Sequence, residues 1–151
     1  MRKLLAAAAA AVTLSLAAPT GLARPAATAT DTPAAMRTIV HAWSARLNAN
    51  DNAGVARLFA VPAIIRQGDL IYRLTTRKQL TIWHDGLPCG GTISQIIIRG
   101  RFATAVFVLG MRRGHTCQGL DAEAAARFEI VGGKIRSWTQ VAVPDQTGPV
   151  A

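Results

Sequence analysis

The chain has 151 residues, half of them hydrophobic, with 17 Lys plus Arg against 8 Asp plus Glu for a net charge of +9. That length suits one compact domain with its own core and excludes two. Between Arg37 and Arg136 the positive charges stand singly, apart from Arg77-Lys78 and Arg112-Arg113, so no block has the form of a nucleic-acid-binding arm and the basicity reads as surface character.

Arg2 and Lys3 precede a run from Leu4 to Ala18 that is apolar apart from Thr13 and Ser15, followed by Pro19, Gly21 and Ala23. This pattern predicts a secretory signal peptide over residues 1–23, cleaved after Ala23. The alternative is an uncleaved anchor, but the run falls short of the ~20 apolar residues a spanning helix needs, and its alanines make it weakly hydrophobic. No membrane insertion of the mature chain is expected. The leader carries two of the basic residues and no acidic one, leaving +7. Residues 24–32, rich in Ala, Thr and Pro, read as a disordered spacer. Residues 33–144 make the folded domain and residues 145–151 a flexible tail.

The domain opens with a helix from Pro33 to Leu47 behind a Thr32 cap, with Ile39, Trp43 and Leu47 on one face. Asn48 to Asn52 breaks it. Asp51 or Asn50 caps a second helix bearing Val55, Leu58 and Phe59, which Pro62 ends. Strands follow at Ala63–Gln67 and Leu70–Leu74 around Gly68-Asp69. Thr75 or Thr76 then caps a third helix reaching Asp85, stopped by Gly86 and Pro88. Four strands complete the chain: Thr92–Arg99, Phe102–Met111 beyond Gly100, Asp121–Val131, and Lys134–Val143 beyond Gly132-Gly133. The order ααββαββββ predicts an α+β fold in which three helices pack on a strongly bent antiparallel sheet, forming a cone open at one end.

Cys89 and Cys117 are the only cysteines, and an even count behind a signal peptide predicts one disulfide. They fall just before the third strand and just after the fourth, points that meet when those strands pair antiparallel. Closing this loop stabilises by roughly 3 to 4 kcal/mol in the chain-entropy model. A Cys2His2 zinc site with His84 and His115 is the competing arrangement, but the Cys-x2-Cys knuckle is missing and no metal is expected. No phosphate loop or nucleophile elbow appears, and nothing requires a cofactor.

The segments WSARLNANDNAGVARLFA (Trp43–Ala60) and RFEIVGGKIRSW (Arg127–Trp138) resemble the nuclear transport factor 2-like superfamily, which includes the SnoaL-like polyketide cyclases and ketosteroid isomerase. The resemblance covers Pro33 to Pro144 and implies the cone fold with a ligand-binding pocket. It also implies that a homodimer can form through the sheet. Against the isomerase pattern each catalytic place is substituted: Trp43 for the oxyanion tyrosine, Gln67 for the general-base aspartate and Ala126 for the buried aspartic acid. An indole is a poor partner for an oxyanion, and a glutamine cannot take a proton.

Other acid–base groups remain. His84-Asp85 at the end of the third helix reads either as a dyad at the pocket rim or as a helix terminus favoured by the dipole. Tyr72 caps the pocket through its hydroxyl or packs in the core. His41 points away from the Trp43 stripe. On the fifth strand the charges from Asp121 to Glu129 share one face, leaving inward alanines that make room. On the last strand either Arg136, Trp138 and Gln140 or Ile135, Ser137 and Thr139 line the cone. The expected pocket residues are Trp43, Gln67, Tyr72, Trp83, Phe128, Trp138 and Gln140. The function implied is non-catalytic: a secreted domain binding a small apolar ligand or docking a protein. The alternative is a cyclase, isomerase or hydrolase using His84, Asp85 or Tyr72.

Overall fold

A computed structural model describes residues 31–145. The expected signal peptide, most of the spacer and all but the first residue of the tail lie outside the described residues. Helix α1 (Pro33–Asn48) begins behind Thr32, whose hydroxyl accepts from the Ala35 N–H at 3.2 Å, with Pro33 where its missing N–H costs nothing. Its buried stripe is Met36, Val40, Trp43 and Leu47, while the expected Ile39 packs at its margin, partly buried. Asn50 adopts a left-handed conformation (φ 59°) that breaks the helix. Helix α2 (Asn52–Leu58) starts at once, its cap Asp51 accepting from the Gly54 N–H at 2.8 Å and pairing with Arg46 at 2.9 Å.

Pro62 does not end α2. The helix stops at Leu58, and strand β1 (Phe59–Gln67) begins before the proline and runs through it. Phe59 is fully buried and pairs with Ile135, whereas Val61 and Pro62 are exposed in the stretch between Phe59 and Ile64 where that pairing shifts register, so the proline interrupts no regular ladder. Strand β2 (Leu70–Leu74) pairs back on β1, and Thr76 with Gln79 forms a capping box opening helix α3 (Arg77–Asp85).

Strands β3 (Gly90–Arg99), β4 (Phe102–Gly110), β5 (Glu123–Val131) and β6 (Lys134–Val141) form an antiparallel meander, giving a sheet order β2-β1-β6-β5-β4-β3. The sheet is mixed, not wholly antiparallel. After α3 the chain resumes at the far edge, and three antiparallel steps bring β6 beside β1 running the same way. The helices cover one face of this open sheet around a core that includes Val40, Trp43, Phe59, Ile65, Leu80, Phe128 and Ile130.

Cys89 and Cys117 are bonded, their Cα atoms 4.6 Å apart, across the end of the sheet where Gly90 faces Gly110. A disulfide here suits an oxidising compartment. A thiol assay on the unfolded, unreduced protein is expected to find no free cysteine, and two after reduction.

The two alternatives for β6 are both partly realised, because a bulge separates them. Glu129 pairs with Ser137 and Ile130 with Ile135, leaving Arg136 as the extra, exposed residue. Ile135 therefore joins the core along with Trp138, and the alternation resumes past the bulge. The charges of β5 are on the outer face as expected, but Glu129 pairs with Arg101 at 2.9 Å and accepts from Ser137 rather than pairing along its own strand. Asp31, within the expected spacer, is held in place: its carboxylate accepts from the N–H groups of Gly132 and Gly133 at 2.9 and 3.0 Å, which holds its pKa below the usual carboxylate range.

Candidate functional site

Between α1 and the inner face of the sheet lies a cavity of ≈ 230 Å3. Helix α1 contributes Trp43, Ser44 and Leu47, and the segment after α3 together with the start of β3 contributes Leu87 to Gly91. The sheet contributes Gln67 from β1, Phe107 and Leu109 from β4, Ala124 to Ala126 from β5, and Trp138 and Gln140 from β6. Ala124 and Ala126 of β5 make this space: they stand opposite Phe107 and Ala105 on β4, with Ala126 beside Gln140 on β6, where a larger residue would fill the cone. Gln140 and Pro88 are exposed and mark its opening.

No ionisable side chain lines this cavity among the described residues, the sulfur of Cys89 being in the disulfide. Trp43, Gln67 and Ala126, the positions matching the isomerase catalytic residues, all face it. The polar groups are neutral: the Ser44 hydroxyl, engaged with the Gly91 carbonyl at 3.4 Å, and the two glutamine amides.

The acid–base candidates lie elsewhere. His84 is fully buried behind Trp43, not at the rim. The indole Nε1–H of Trp43 donates to His84 Nε2 at 3.1 Å. Because an indole only donates, Nε2 must accept, so the proton sits on Nδ1 and is given to the Leu80 carbonyl at 2.7 Å. Burial lowers the pKa to about 4, the nearby Arg112 adding to that in the same direction, so the ring is neutral. Three rings enclose it edge-on, Trp83 at 4.7 Å, Phe59 at 5.1 Å and Trp43 itself at 6.2 Å.

Asp85 does not form a dyad with it. Its side chain is 64% exposed and accepts from Asn52 Nδ2 at 2.9 Å, with His115 3.9 Å away. Tyr72 pairs with the inward-facing Ile65 but stands exposed on the edge strand. Of the seven expected pocket residues, Trp43, Gln67, Trp138 and Gln140 line the cavity. Tyr72, Trp83 and Phe128 are not among its walls: Trp83 backs Trp138 from behind at 5.0 Å, and Phe128 is fully buried beneath Trp43 at 5.2 Å, filling the floor.

The cavity wall from Leu87 to Gly91 is fixed by Asn48, which the sequence marks only as a helix breaker, and by Arg112, to which it assigns no role. Asn48 clamps Gly91, donating to its carbonyl and accepting from its N–H, both at 2.9 Å. Arg112, 3% exposed, donates to the carbonyls of His84 (2.8 Å) and Leu87 (2.6 Å) and to Asn50 Oδ1 (2.6 Å) and Asn52 Oδ1 (2.9 Å). It thereby ties the end of α3 to the turn between α1 and α2, and places a cation at the negative end of the α3 dipole. In sequence it is one of two adjacent arginines, and nothing distinguishes it from exposed Arg113.

The fold has known counterparts. A nuclear transport factor 2-like protein of unknown function from Cytophaga hutchinsonii superposes with a TM-score of 0.57 at 10% identity, over 70% of this chain and 87% of that one. The fold is the nuclear transport factor 2-like cone. A protein with a ketosteroid isomerase-like fold from Catenulispora acidiphila, in complex with trimethylamine, matches this cone with a TM-score of 0.57 at 21% identity, over 69% and 84% of the two chains. A de novo designed protein with a curved β-sheet matches it as well, with a TM-score of 0.59 at 11% identity, over 75% and 88%. No family model and no curated protein matches the sequence. A nuclear transport factor 2-like cone shared by natural and designed chains fixes the architecture and leaves activity to the residues inside it.

Proposed function

We propose that this domain is a secreted, non-catalytic binder that holds a small, uncharged, largely apolar ligand in the cone. The observation that carries the reading is the cavity lining, which combines apolar and aromatic walls with neutral hydrogen-bonding groups and no acid or base. Proton transfer at a bound substrate needs a titratable group within hydrogen-bond reach, and His84, Asp85 and Tyr72 are outside that reach. The trimethylamine complex of a fold neighbour supports small-molecule binding on this architecture. An ammonium would meet no carboxylate in this cone, and burying an unpaired charge is costly, so an uncharged ligand is favoured here.

The size is sufficient: an apolar cavity of about 150 Å3 takes benzene, and this one is larger at ≈ 230 Å3. The test is titration with small aromatic compounds, read by the fluorescence of Trp43 and Trp138 in the cavity wall. Ala124→Phe, at a half-buried lining position, is expected to abolish binding by filling the space while leaving the melting temperature within about 2 °C. The reading fails if no compound binds the wild type and no ligand copurifies, or if the filled variant binds as well as the wild type.

Pairing of two copies through the sheet is a second reading. It draws on apolar side chains exposed on the outer face, notably Ile71 and Val108, and light scattering that returns a monomer at high concentration would exclude it.

A further inference from the structure

Three groups at one end of the cavity have hydrogen-bonding capacity that the chain leaves unused. Strands β1 and β6 run parallel, with Ile65 beside Trp138 and Arg66 beside Thr139, so the next step brings Gln67 and Gln140 together, both lining the cavity. Neither carboxamide has a hydrogen-bond partner among the described residues. One step further in, Trp138 is 6% exposed and its indole N–H, shielded from solvent, also has none. Buried polar groups are nearly always paired, and an unpaired one calls for an explanation.

These groups differ in kind from the remainder of the lining. Ser44 is engaged with Gly91, the indole of Trp43 is taken by His84, and Phe107, Leu109 and the alanines of β5 are apolar. The cavity thus has a polar end at the opening and an apolar interior. Each glutamine offers an acceptor oxygen and a two-hydrogen donor, so the pair together can satisfy a group that both accepts and donates. A carboxylate would find donors but no countercharge, and a hydrocarbon would leave the two amides unused.

Resting on the reading of the cone as a binding cavity, we propose that its ligand carries a neutral carboxamide-type group, an acceptor oxygen beside an N–H. That group is held between Gln67 and Gln140, with an apolar body directed inward towards Trp138 and Phe107.

Calorimetric titration with benzamide, benzoate and toluene tests this, since the three share a ring and differ only in the group at issue. Benzamide is expected to bind at least tenfold more tightly than toluene or benzoate and to shift the Trp138 indole proton resonance. Gln67→Leu combined with Gln140→Leu is expected to bring benzamide to within about twofold of toluene while toluene binding is retained. Gln140→Leu alone, at an exposed position, is the fallback should the double variant fold poorly, and is expected to lower benzamide affinity severalfold. Toluene or benzoate binding as tightly as benzamide, or undiminished benzamide affinity in the variants, overturns the carboxamide assignment while leaving the binding cavity standing. Failure of all three probes to bind the wild type overturns both.

Discussion

Arg112→Met is expected to destabilise the domain by about 3 kcal/mol, lowering its melting temperature by roughly 10 °C. The estimate follows from what methionine leaves behind. It replaces the volume and removes the desolvation that holds the guanidinium pKa below its usual value, but it removes four hydrogen bonds and leaves the Leu87 carbonyl and Asn52 Oδ1 without a donor, whereas the His84 carbonyl keeps the Leu87 N–H and Asn50 Oδ1 keeps the Asn52 amide. Each buried acceptor without a donor costs about 1 kcal/mol or more. The Asn52 amide also holds Asp85, so the loss spreads to the end of α3. Arg113→Met, one residue on and exposed, is the control and should fall within about 0.5 kcal/mol of wild type. Thermal melts followed by circular dichroism check both, and equal effects from the two variants would contradict a structural role for the Arg112 network.

The second large effect concerns acid. His84 titrates near 6.5 in the unfolded chain and about 4 in the folded one, so between these values the unfolded state binds the extra proton. Stability is therefore fully present above pH 6.5 and is lost as pH falls towards 4, by about 3 kcal/mol in all, at 1.36 kcal/mol per pKa unit. Protonation also removes the acceptor for Trp43, so the loosening should begin at the cavity wall. The carboxylates do not account for this window: Asp31 and Asp51 have folded values lowered from 3.8 by backbone hydrogen bonds, from Gly132 and Gly133 and from Gly54 respectively, so their contributions disappear only below that pH. Urea denaturation at pH 7, 5.5 and 4.5 reads the slope. In His84→Gln, where an amide oxygen can still accept from Trp43 without titrating, the slope over this range should flatten. A wild-type stability constant from pH 7 to 4.5 would contradict the buried neutral histidine.

How much of this was legible beforehand depended on whether a signal was local. The caps at Thr32, Asp51 and Thr76, the hairpin turns and the helix stripe are local matters of periodicity and capping chemistry, and the structure has them within a residue or two. Placing the two cysteines at one end of the sheet followed from strand pairing alone. The parallel β1–β6 junction depends on where the chain re-enters the sheet after α3, and the bulge at Arg136 breaks an alternation that a linear reading must assume. Inside the cone, Trp43, Gln67, Trp138 and Gln140 could be placed through strand alternation and the family resemblance. The network of Arg112 could not, because it joins residues up to 62 positions apart, and long-range hydrogen bonds leave no periodic trace. The run from Asn48 to Asn52 illustrates the gap. It reads as a helix breaker with a cap for α2, yet Asn48 also clamps Gly91, and Asn50 and Asn52 receive Arg112.

The anchoring of Asp31 bears on how the protein can be handled and displayed. The carboxylate is fastened to the Gly132-Gly133 turn, where β6 begins, while Gln140 stands near the other end of that strand beside the cavity opening. At about 3.3 Å per residue the two points are roughly 20 Å apart. A surface attachment or fused partner joined ahead of Asp31 would therefore meet the domain at its far pole, leaving the opening facing outward and accessible to solutes.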